Sequence, residues 1–162
     1  MSRSSVEVVD HSGMVGAHAA VVRLVEAVLE AEGAEGSLVV AFVGEKIITE
    51  LNERYRGLPE PTDVLSFPEE ESVRWPGEAD ELGEIVICPR VVLRYSREEG
   101  VTFQEQLGWT LVHGVLHVLG HDHETDHGEM RERERQILAS LRNLVRDLAP
   151  AVSGQEDEDS RP

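Results

Sequence analysis

Apolar residues recur along the chain at two spacings, which together predict alternating strands and helices. Strand-like segments lie at residues 6–10, 38–43, 62–67 and 82–88, and residues 38–43 form a continuous apolar run. Apolar positions three to four residues apart, the spacing of one helix face, lie at residues 17–32, 45–54, 90–99, 102–120 and 126–148. This order predicts one α/β (α+β) domain, built as a single mixed sheet of about four strands packed with about five helices.

Polar residues mark where two of these helices begin. Thr102 stands three residues before Glu105, and Asp126 stands three residues before Glu129. In a capping box the first side chain accepts a hydrogen bond from a backbone N–H of the first helical turn, and the glutamate satisfies another N–H. We therefore expect helices to begin just after Thr102 and just after Asp126.

The charge of the chain excludes one class of protein. Its 162 residues include 32 acidic and 15 basic side chains, for a formal net charge of −17. This excess argues against a protein that coats nucleic acid with a basic surface, although it permits one local basic cleft. The length suits one domain, which we place at residues 1–150. Residues 151–162 are polar and acidic, which predicts a disordered tail.

Cysteine content and apolar run length bear on the compartment. Cys88 is the one cysteine, so an intrachain disulfide is excluded. The N-terminus shows no apolar segment of the signal-peptide type. The longest purely apolar run, residues 38–43, is far shorter than the roughly 20 residues of a membrane span. These features predict a cytoplasmic protein without a membrane partner.

Five of the seven histidines lie within residues 113–127. His113 and His117 are four residues apart on a predicted helix, which places both imidazoles on one face, one turn apart. Gly120 allows a sharp turn after that helix, and such a turn can bring His123 back toward the same point. The pattern HxxxHxxxxxH therefore predicts a metal ion held by His113, His117 and His123.

Three histidine ligands favour a catalytic zinc ion over a structural one. A zinc ion with three protein ligands keeps a position for water, whereas structural zinc sites are usually closed by four ligands. Zinc lowers the pKa of that water to roughly 7, which makes hydroxide available at neutral pH. Imidazole also suits nickel, copper and iron, so another divalent transition metal is an alternative.

One residue inside the pattern separates it from zinc peptidases. The metzincin signature HExxHxxGxxH requires a glutamate directly after the first histidine, where it acts as the general base. Here that position holds Gly114, which has no side chain. A zinc peptidase-like hydrolase is therefore kept only as an alternative function.

Three blocks of the sequence resemble one known family. HGVLHVLGHDH, at residues 113–123, closely resembles the HGxLHLxGYDH signature of the YbeY-type zinc-dependent endoribonucleases, the rRNA maturation factors of bacteria. NERYRG followed by PTDVLSFP, within residues 52–68, is similar to the second block of that family. LGEIVI, at residues 82–87, is similar to its third block. His121 departs from the pattern, because the family often has tyrosine there.

The resemblance implies a single-strand-specific, metal-dependent endoribonuclease. It implies zinc bound by His113, His117 and His123, and importance of Arg56 for activity. It further implies a role in rRNA maturation, at the small-subunit rRNA 3′ end, and in ribosome quality control. Single-stranded RNA or rRNA would be the substrate, and the ribosome or ribosome-associated proteins the partners. Neither DNA nor a membrane is expected as a partner.

Arginines are the candidates for binding RNA phosphates. Arg56 precedes a loop rich in glycine and proline that could face a cleft, where a guanidinium can clamp phosphate with two hydrogen bonds. Alternatively, Arg56 is an exposed helix-end residue favoured by the helix dipole. Arg90, Arg94 and Arg97 share one face of a predicted helix and form a candidate substrate-binding stripe. The alternative is a solvated face on which Arg94 pairs with Glu98.

The sequence offers no convincing general base. Asp122 lies between two histidines and could orient an imidazole or accept a proton. Alternatively, it is a turn residue. A ribosome-assembly binding factor with a structural metal needs no base, and it is therefore the second alternative function.

Overall fold

The computed structural model describes residues 4–16, 18–69, 81–122 and 126–148. His123 and the predicted acidic tail at residues 151–162 lie outside the described residues. The strands are β1 (Ser4–Asp10), β2 (Gly36–Phe42), β3 (Val64–Pro68) and β4 (Glu81–Ile87). The helices are α1 (His18–Ala31), α2 (Glu45–Arg56), α3 (Pro89–Glu99), α4 (Phe103–Val118), α5 (Glu129–Ser140) and α6 (Arg142–Arg146).

The strands form one mixed sheet in the order β1-β2-β4-β3. β1, β2 and β4 are parallel, and β3 pairs antiparallel with β4 at the edge of the sheet. Parallel neighbours need a crossover between them, which α1 provides between β1 and β2. The α/β fold with a mixed four-stranded sheet is therefore confirmed.

Helices cover both faces of the sheet. On one face, β2 and β4 pack against α1 and α4 through Leu38, Val40, Phe42, Ile85 and Ile87. On the other face, Ala41, Leu65 and Val86 pack with Ile48 of α2 and Val91 of α3. β2 is therefore buried on both sides, which explains its unbroken apolar sequence.

The helix α4 lies at the centre of the packing. It contacts β3, β4, α1, α3, α5 and α6. Thr102 caps its N-terminus as predicted, since the Thr102 hydroxyl accepts a hydrogen bond of 3.1 Å from the Glu105 amide. Six apolar side chains of α4 are buried, which fixes the rotation of the helix about its axis. The remaining face can then present polar side chains at a defined place.

The last helix of the prediction is two helices in the structure. α5 ends at Ser140 and α6 begins at Arg142, with Leu141 between them at φ −116°. After the break, Val145 and Leu148 pack into the hydrophobic core formed by α1, α4 and the sheet, where both are buried. Six helices therefore lie in the described part of the chain, against about five expected. None of them is long and apolar enough to cross a bilayer.

Candidate active site

A cleft of about 590 Å³ lies between β3, the C-terminal end of α2 and the second half of α4. It contains three of the residues predicted from the sequence, since Arg56, His113 and His117 all line it. Tyr55, Asp63, Phe67 and Asp122 line it as well. A larger cavity of about 720 Å³ lies among α4, α5 and α6, but neither histidine lines it. The smaller cleft therefore carries the candidate chemistry.

His113 and His117 lie one turn apart on α4, as their spacing predicts. Their ring centroids are 4.5 Å apart and the rings meet edge to face at 77°. Both side chains are half-buried at the cleft, because the residues between and around them, including Leu116 and Val115, pack into the core. Two imidazoles held this close on a rigid helix can contribute neighbouring ligands to one cation.

Gly114 lets α4 approach the sheet closely. A Cβ atom at this position would lie 2.9 Å from Cγ2 of Ile85 and 3.4 Å from Cγ2 of Val64. The Ser66 hydroxyl donates a hydrogen bond of 3.2 Å to the Gly114 carbonyl, which ties β3 to the helix. Position 114 therefore faces the sheet and not the cleft. A glutamate there, at the position it has in zinc peptidases, would meet Ile85 of the sheet before it could reach the cleft.

Arg56 reaches the cleft because α2 ends on a left-handed glycine. Gly57 adopts φ +73° and its amide donates to the carbonyl of Glu53 at 2.9 Å, which is the usual glycine stop of a helix. The buried Asn52 side chain then donates to the Glu60 carbonyl at 2.9 Å and holds the following loop. The loop leads into β3, so the exposed Arg56 side chain stands at the wall of the cleft.

Two aromatic rings lie beside this arginine. Tyr55 and Phe67 meet edge to face, with ring centroids 5.0 Å apart. Tyr55 is 60% exposed, whereas Phe67 is half-buried. The cleft thus offers an accessible aromatic ring next to a guanidinium.

Comparison with known proteins identifies the family. The family model described as Endoribonuclease YbeY matches residues 8–142. The chain belongs to the YbeY family. It is 46% identical over 105 residues to Endoribonuclease YbeY of Bdellovibrio bacteriovorus, an alignment that covers 65% of each chain. It is 44% identical over 119 residues to Endoribonuclease YbeY of Halorhodospira halophila, which covers 72% of this chain and 77% of that relative.

A solved structure shares the fold of this YbeY-family chain. The solution structure of TM1509 from Thermotoga maritima superposes with a TM-score of 0.60 at 29% sequence identity. The match covers 90% of this chain and 97% of that chain. The family resemblance read from the three sequence blocks is therefore confirmed. YbeY proteins are metal-dependent nucleases, and an endoribonuclease acts on RNA, so membership implies RNA as the class of substrate.

Glu134 is a residue of the site that sequence reasoning missed. Its carboxylate is 3% exposed, and Oε1 lies 2.6 Å from Nδ1 of His113. The indole N–H of Trp109 donates to Oε2 at 3.0 Å. The sequence could have singled out Glu134, because it lies on the apolar stripe of the last predicted helix. It stands four residues after Met130 and three before Ile137. A charged residue on a buried stripe is expected to have a partner.

Two carboxylates lie in the cleft itself. Asp63 precedes β3, and burial raises its pKa, an effect partly offset by the hydrogen bond from the Val64 amide and by the nearby charge of His113. The Val64 amide donates to Oδ1 of Asp63 at 2.9 Å. Asp122 follows α4 at the rim and is exposed. Either carboxylate is placed to contact a substrate in the cleft.

The arginine stripe lies elsewhere on the surface. Arg90, Arg94 and Arg97 are exposed on α3, and none of them lines the cleft. Arg94 forms an ion pair with Glu45 at the start of α2, a partner other than Glu98. The stripe is thus separate from the histidines, and its contact with RNA stays a prediction.

The third predicted ligand, His123, lies outside the described residues. Within residues 4–16, 18–69, 81–122 and 126–148, no three side chains of the metal-binding types are gathered into one group. Of the other histidines, His121 lies 4.0 Å from Glu32 and His18 lies 3.5 Å from Asp10. The described part of the site therefore supplies two of the three predicted ligands.

Proposed function

We propose that this chain is a single-strand-specific, zinc-dependent endoribonuclease of the cytoplasm. It acts in rRNA maturation, including the small-subunit rRNA 3′ end, and in ribosome quality control. The observation that carries the proposal is one cleft shared by His113, His117 and Arg56, which come from two separate elements of a YbeY-family chain. The ribosome or its associated proteins present the substrate.

The residues present fit a divalent transition metal. His113 and His117 provide imidazole ligands, and His123 would complete a set of three. The carboxylate of Glu134 lies 2.6 Å from Nδ1 of His113, so Nε2 is the ring nitrogen that would bind the metal, in the arrangement that metal-binding histidines usually have. A bound zinc ion supplies Lewis-acid chemistry, because it acidifies water and polarises a phosphoryl oxygen.

Arg56 binds and orients the RNA backbone. Its guanidinium presents parallel N–H donors that match two phosphate oxygens, and it stands at the wall of the cleft that holds the histidines. Donors aimed at a phosphoryl group stabilise the charge that develops there during cleavage. Arg56 therefore acts on the scissile phosphate or on its neighbour.

The aromatic pair supports a single-stranded substrate. Unpaired bases stack on exposed aromatic rings, whereas bases inside a duplex are already stacked. Tyr55 is exposed beside Arg56, and its ring meets the Phe67 ring edge to face. A nucleotide whose phosphate meets Arg56 can place its base on Tyr55.

The decisive experiment pairs metal analysis with RNA cleavage. We expect purified wild-type protein to carry about one zinc ion and to cleave precursor rRNA in a single-stranded region. His117→Ala should lose zinc and cleavage together, whereas His11→Ala, at an exposed histidine far along the chain from the cleft residues, should keep both. Both proteins should remain folded by circular dichroism.

Two results would favour the alternative functions. Zinc-loaded protein that binds ribosomes but never cleaves RNA would indicate an assembly factor with a structural metal. Turnover of a peptide library would indicate a hydrolase of the peptidase type, against the position of Gly114 on the sheet. Cleavage by fully metal-free protein would remove zinc from the mechanism.

A further inference from the structure

The carboxylate of Glu134 joins two aromatic side chains of α4 to α5. Oε1 lies 2.6 Å from Nδ1 of His113, and Oε2 accepts the indole N–H of Trp109 at 3.0 Å. The Trp109 and His113 rings also stack, with centroids 4.8 Å apart and planes inclined by 24°. The imidazole is therefore held by an aromatic ring on one side and by a carboxylate at Nδ1.

The hydrogen-bond types in this network favour one tautomer of His113 when Glu134 is ionised. An indole N–H can only donate, so Oε2 of Glu134 is an acceptor. An ionised carboxylate is an acceptor at both oxygens, and Nδ1 of His113 is then the donor to Oε1. The contact at Nδ1 is thus satisfied by the tautomer that carries its proton on Nδ1, and in that tautomer Nε2 bears the lone pair that a metal ligand needs.

Burying the carboxylate of Glu134 is unfavourable for the stability of the fold. It is 3% exposed and lies among Met130 and Ile137, which are both fully buried. An apolar residue there would complete the stripe, whereas a carboxylate must be desolvated and held by donors. The network offsets that cost only while both donors remain in place.

We propose that Glu134 is a positioning residue for the metal site, which sets the tautomer and the ring orientation of His113. This inference rests on the proposed function, since it takes His113 as a metal ligand. Carboxylates that orient a ligating histidine commonly account for about 10- to 100-fold in metal affinity. Glu134 is thus expected to act on metal binding without contacting metal or RNA.

A direct test on the wild-type protein uses the imidazole ¹⁵N signals of metal-free material. We expect the Nδ1 signal of His113 to be that of a protonated nitrogen. A proton on Nε2 with Nδ1 unprotonated would overturn the proposal. This measurement needs no substitution and is therefore independent of any folding defect.

A second test replaces Glu134 with glutamine. Competition titration with Zn²⁺ and a chromophoric chelator measures the zinc affinity of Glu134→Gln. Glutamine keeps the shape but has one acceptor oxygen for two donors, so zinc affinity should fall by about 10- to 100-fold. Glu132→Gln, an exposed glutamate of the same helix, should bind zinc as the wild type does. Affinity of Glu134→Gln equal to that of Glu132→Gln would overturn the proposal.

A second substitution separates positioning from a merely structural role. Trp109→Phe removes the competing indole donor and keeps an aromatic ring beside His113. In the Glu134→Gln background it frees the single acceptor oxygen for Nδ1 of His113, so the double variant should bind zinc more tightly than Glu134→Gln alone. If Glu134 only stabilised the packing, the additional loss of indole contacts would instead weaken binding further.

Failure of the proposed function would give different zinc-binding results from failure of the positioning role of Glu134. If wild-type protein bound no zinc, or if His117→Ala left zinc affinity unchanged, the histidine site itself would be wrong. If wild-type affinity depended on His117 and not on Glu134, only the positioning role would be wrong.

Discussion

Folding raises the pKa of Asp63, a carboxyl group that lines the cleft. Burial raises its pKa, and the Val64 amide and the His113 charge offset only part of that effect. Because the folded-state pKa exceeds the unfolded value of about 3.9, the folded state holds the proton more tightly. This carboxyl group therefore contributes stability below about pH 3.9, and the contribution is lost as pH rises through the folded-state pKa.

Replacing Asp63 with asparagine should consequently stabilise the metal-free protein at neutral pH. Asparagine does not ionise, and its carbonyl oxygen can still accept the Val64 amide. We expect the free energy of unfolding of Asp63→Asn to exceed that of the wild type at about pH 7 and the gain to shrink toward about pH 3. Denaturant titrations across this range measure the difference.

The control for Asp63→Asn must account for the acidity of the chain. Removing any negative charge from a protein with a net charge of −17 relieves some repulsion. Asp147→Asn removes an exposed carboxylate and reports that general effect. An equal gain in the two variants at every pH would contradict the burial argument for Asp63.

At the level of residues, the sequence predicted which side chains meet at the cleft better than it predicted what holds them there. The neighbouring positions of His113 and His117 followed from helical spacing, and Arg56 was a candidate because a loop rich in glycine and proline follows it and could face a cleft. Their roles as ligands and phosphate contact stay predictions. Glu134 was missed, since its partners Trp109 and His113 belong to a different helix, 25 and 21 residues away. Spacing rules describe neighbours on one helix, whereas this contact depends on how α5 packs against α4.

The helix α4 depends on Gly114 for its distance from the sheet. A Cβ at this position already lies closer to Ile85 than ordinary van der Waals contact allows. Gly114→Glu, which restores the peptidase signature, should destabilise the protein by about 3 kcal/mol or more, because it overpacks the interface and buries an unpaired carboxylate. Thermal and denaturant unfolding measure the loss.

An exposed position provides the matched control for Gly114→Glu. Ala19→Glu adds the same side chain to the first turn of α1, where it is solvated and favoured by the helix dipole. It should leave stability nearly unchanged. A stable Gly114→Glu protein with peptidase activity would show that position 114 can reach the cleft.

At the level of elements, apolar patterns predicted the strands and helices, but not their arrangement. All four strands appeared within a few residues of the predicted bounds. The order β1-β2-β4-β3 did not follow from the sequence, because strand pairing is decided by crossovers and by long-range packing. The break at Leu141 was missed for a similar reason: the apolar stripe continues across it, whereas the packing of Val145 beside Gly108 is a contact between separate helices.

For the whole molecule, the central question is how a strongly acidic protein binds RNA. A net charge of −17 opposes the approach of a polyanion at long range. Binding must then rely on a few local contacts, and among the described residues that line the cleft, Arg56 is the one guanidinium. Few phosphate contacts release few counterions, so the affinity should depend only weakly on salt.

The RNA affinity should therefore depend only weakly on salt, and that dependence should come from Arg56. For a single strand, the slope of log affinity against log salt is about −0.7 per neutralised phosphate, so we expect a value near −0.7 for metal-free protein and intact single-stranded RNA in chelator. Arg56→Ala should bring the slope close to zero. With zinc present, the same variant should cleave RNA about 100-fold more slowly or worse.

Arg54 provides the matched control for Arg56→Ala. Arg54 is exposed in the same last turn of α2 but does not line the cleft, so Arg54→Ala should keep both the slope and the cleavage rate. A wild-type slope of about −2 or steeper would mean three or more phosphate contacts. Arg90, Arg94 and Arg97 on α3 would then be the next candidates, and their combined replacement by alanine should remove the excess slope. Fluorescence anisotropy at a series of salt concentrations thus distinguishes a single clamp at the cleft from an extended RNA path across the acidic surface.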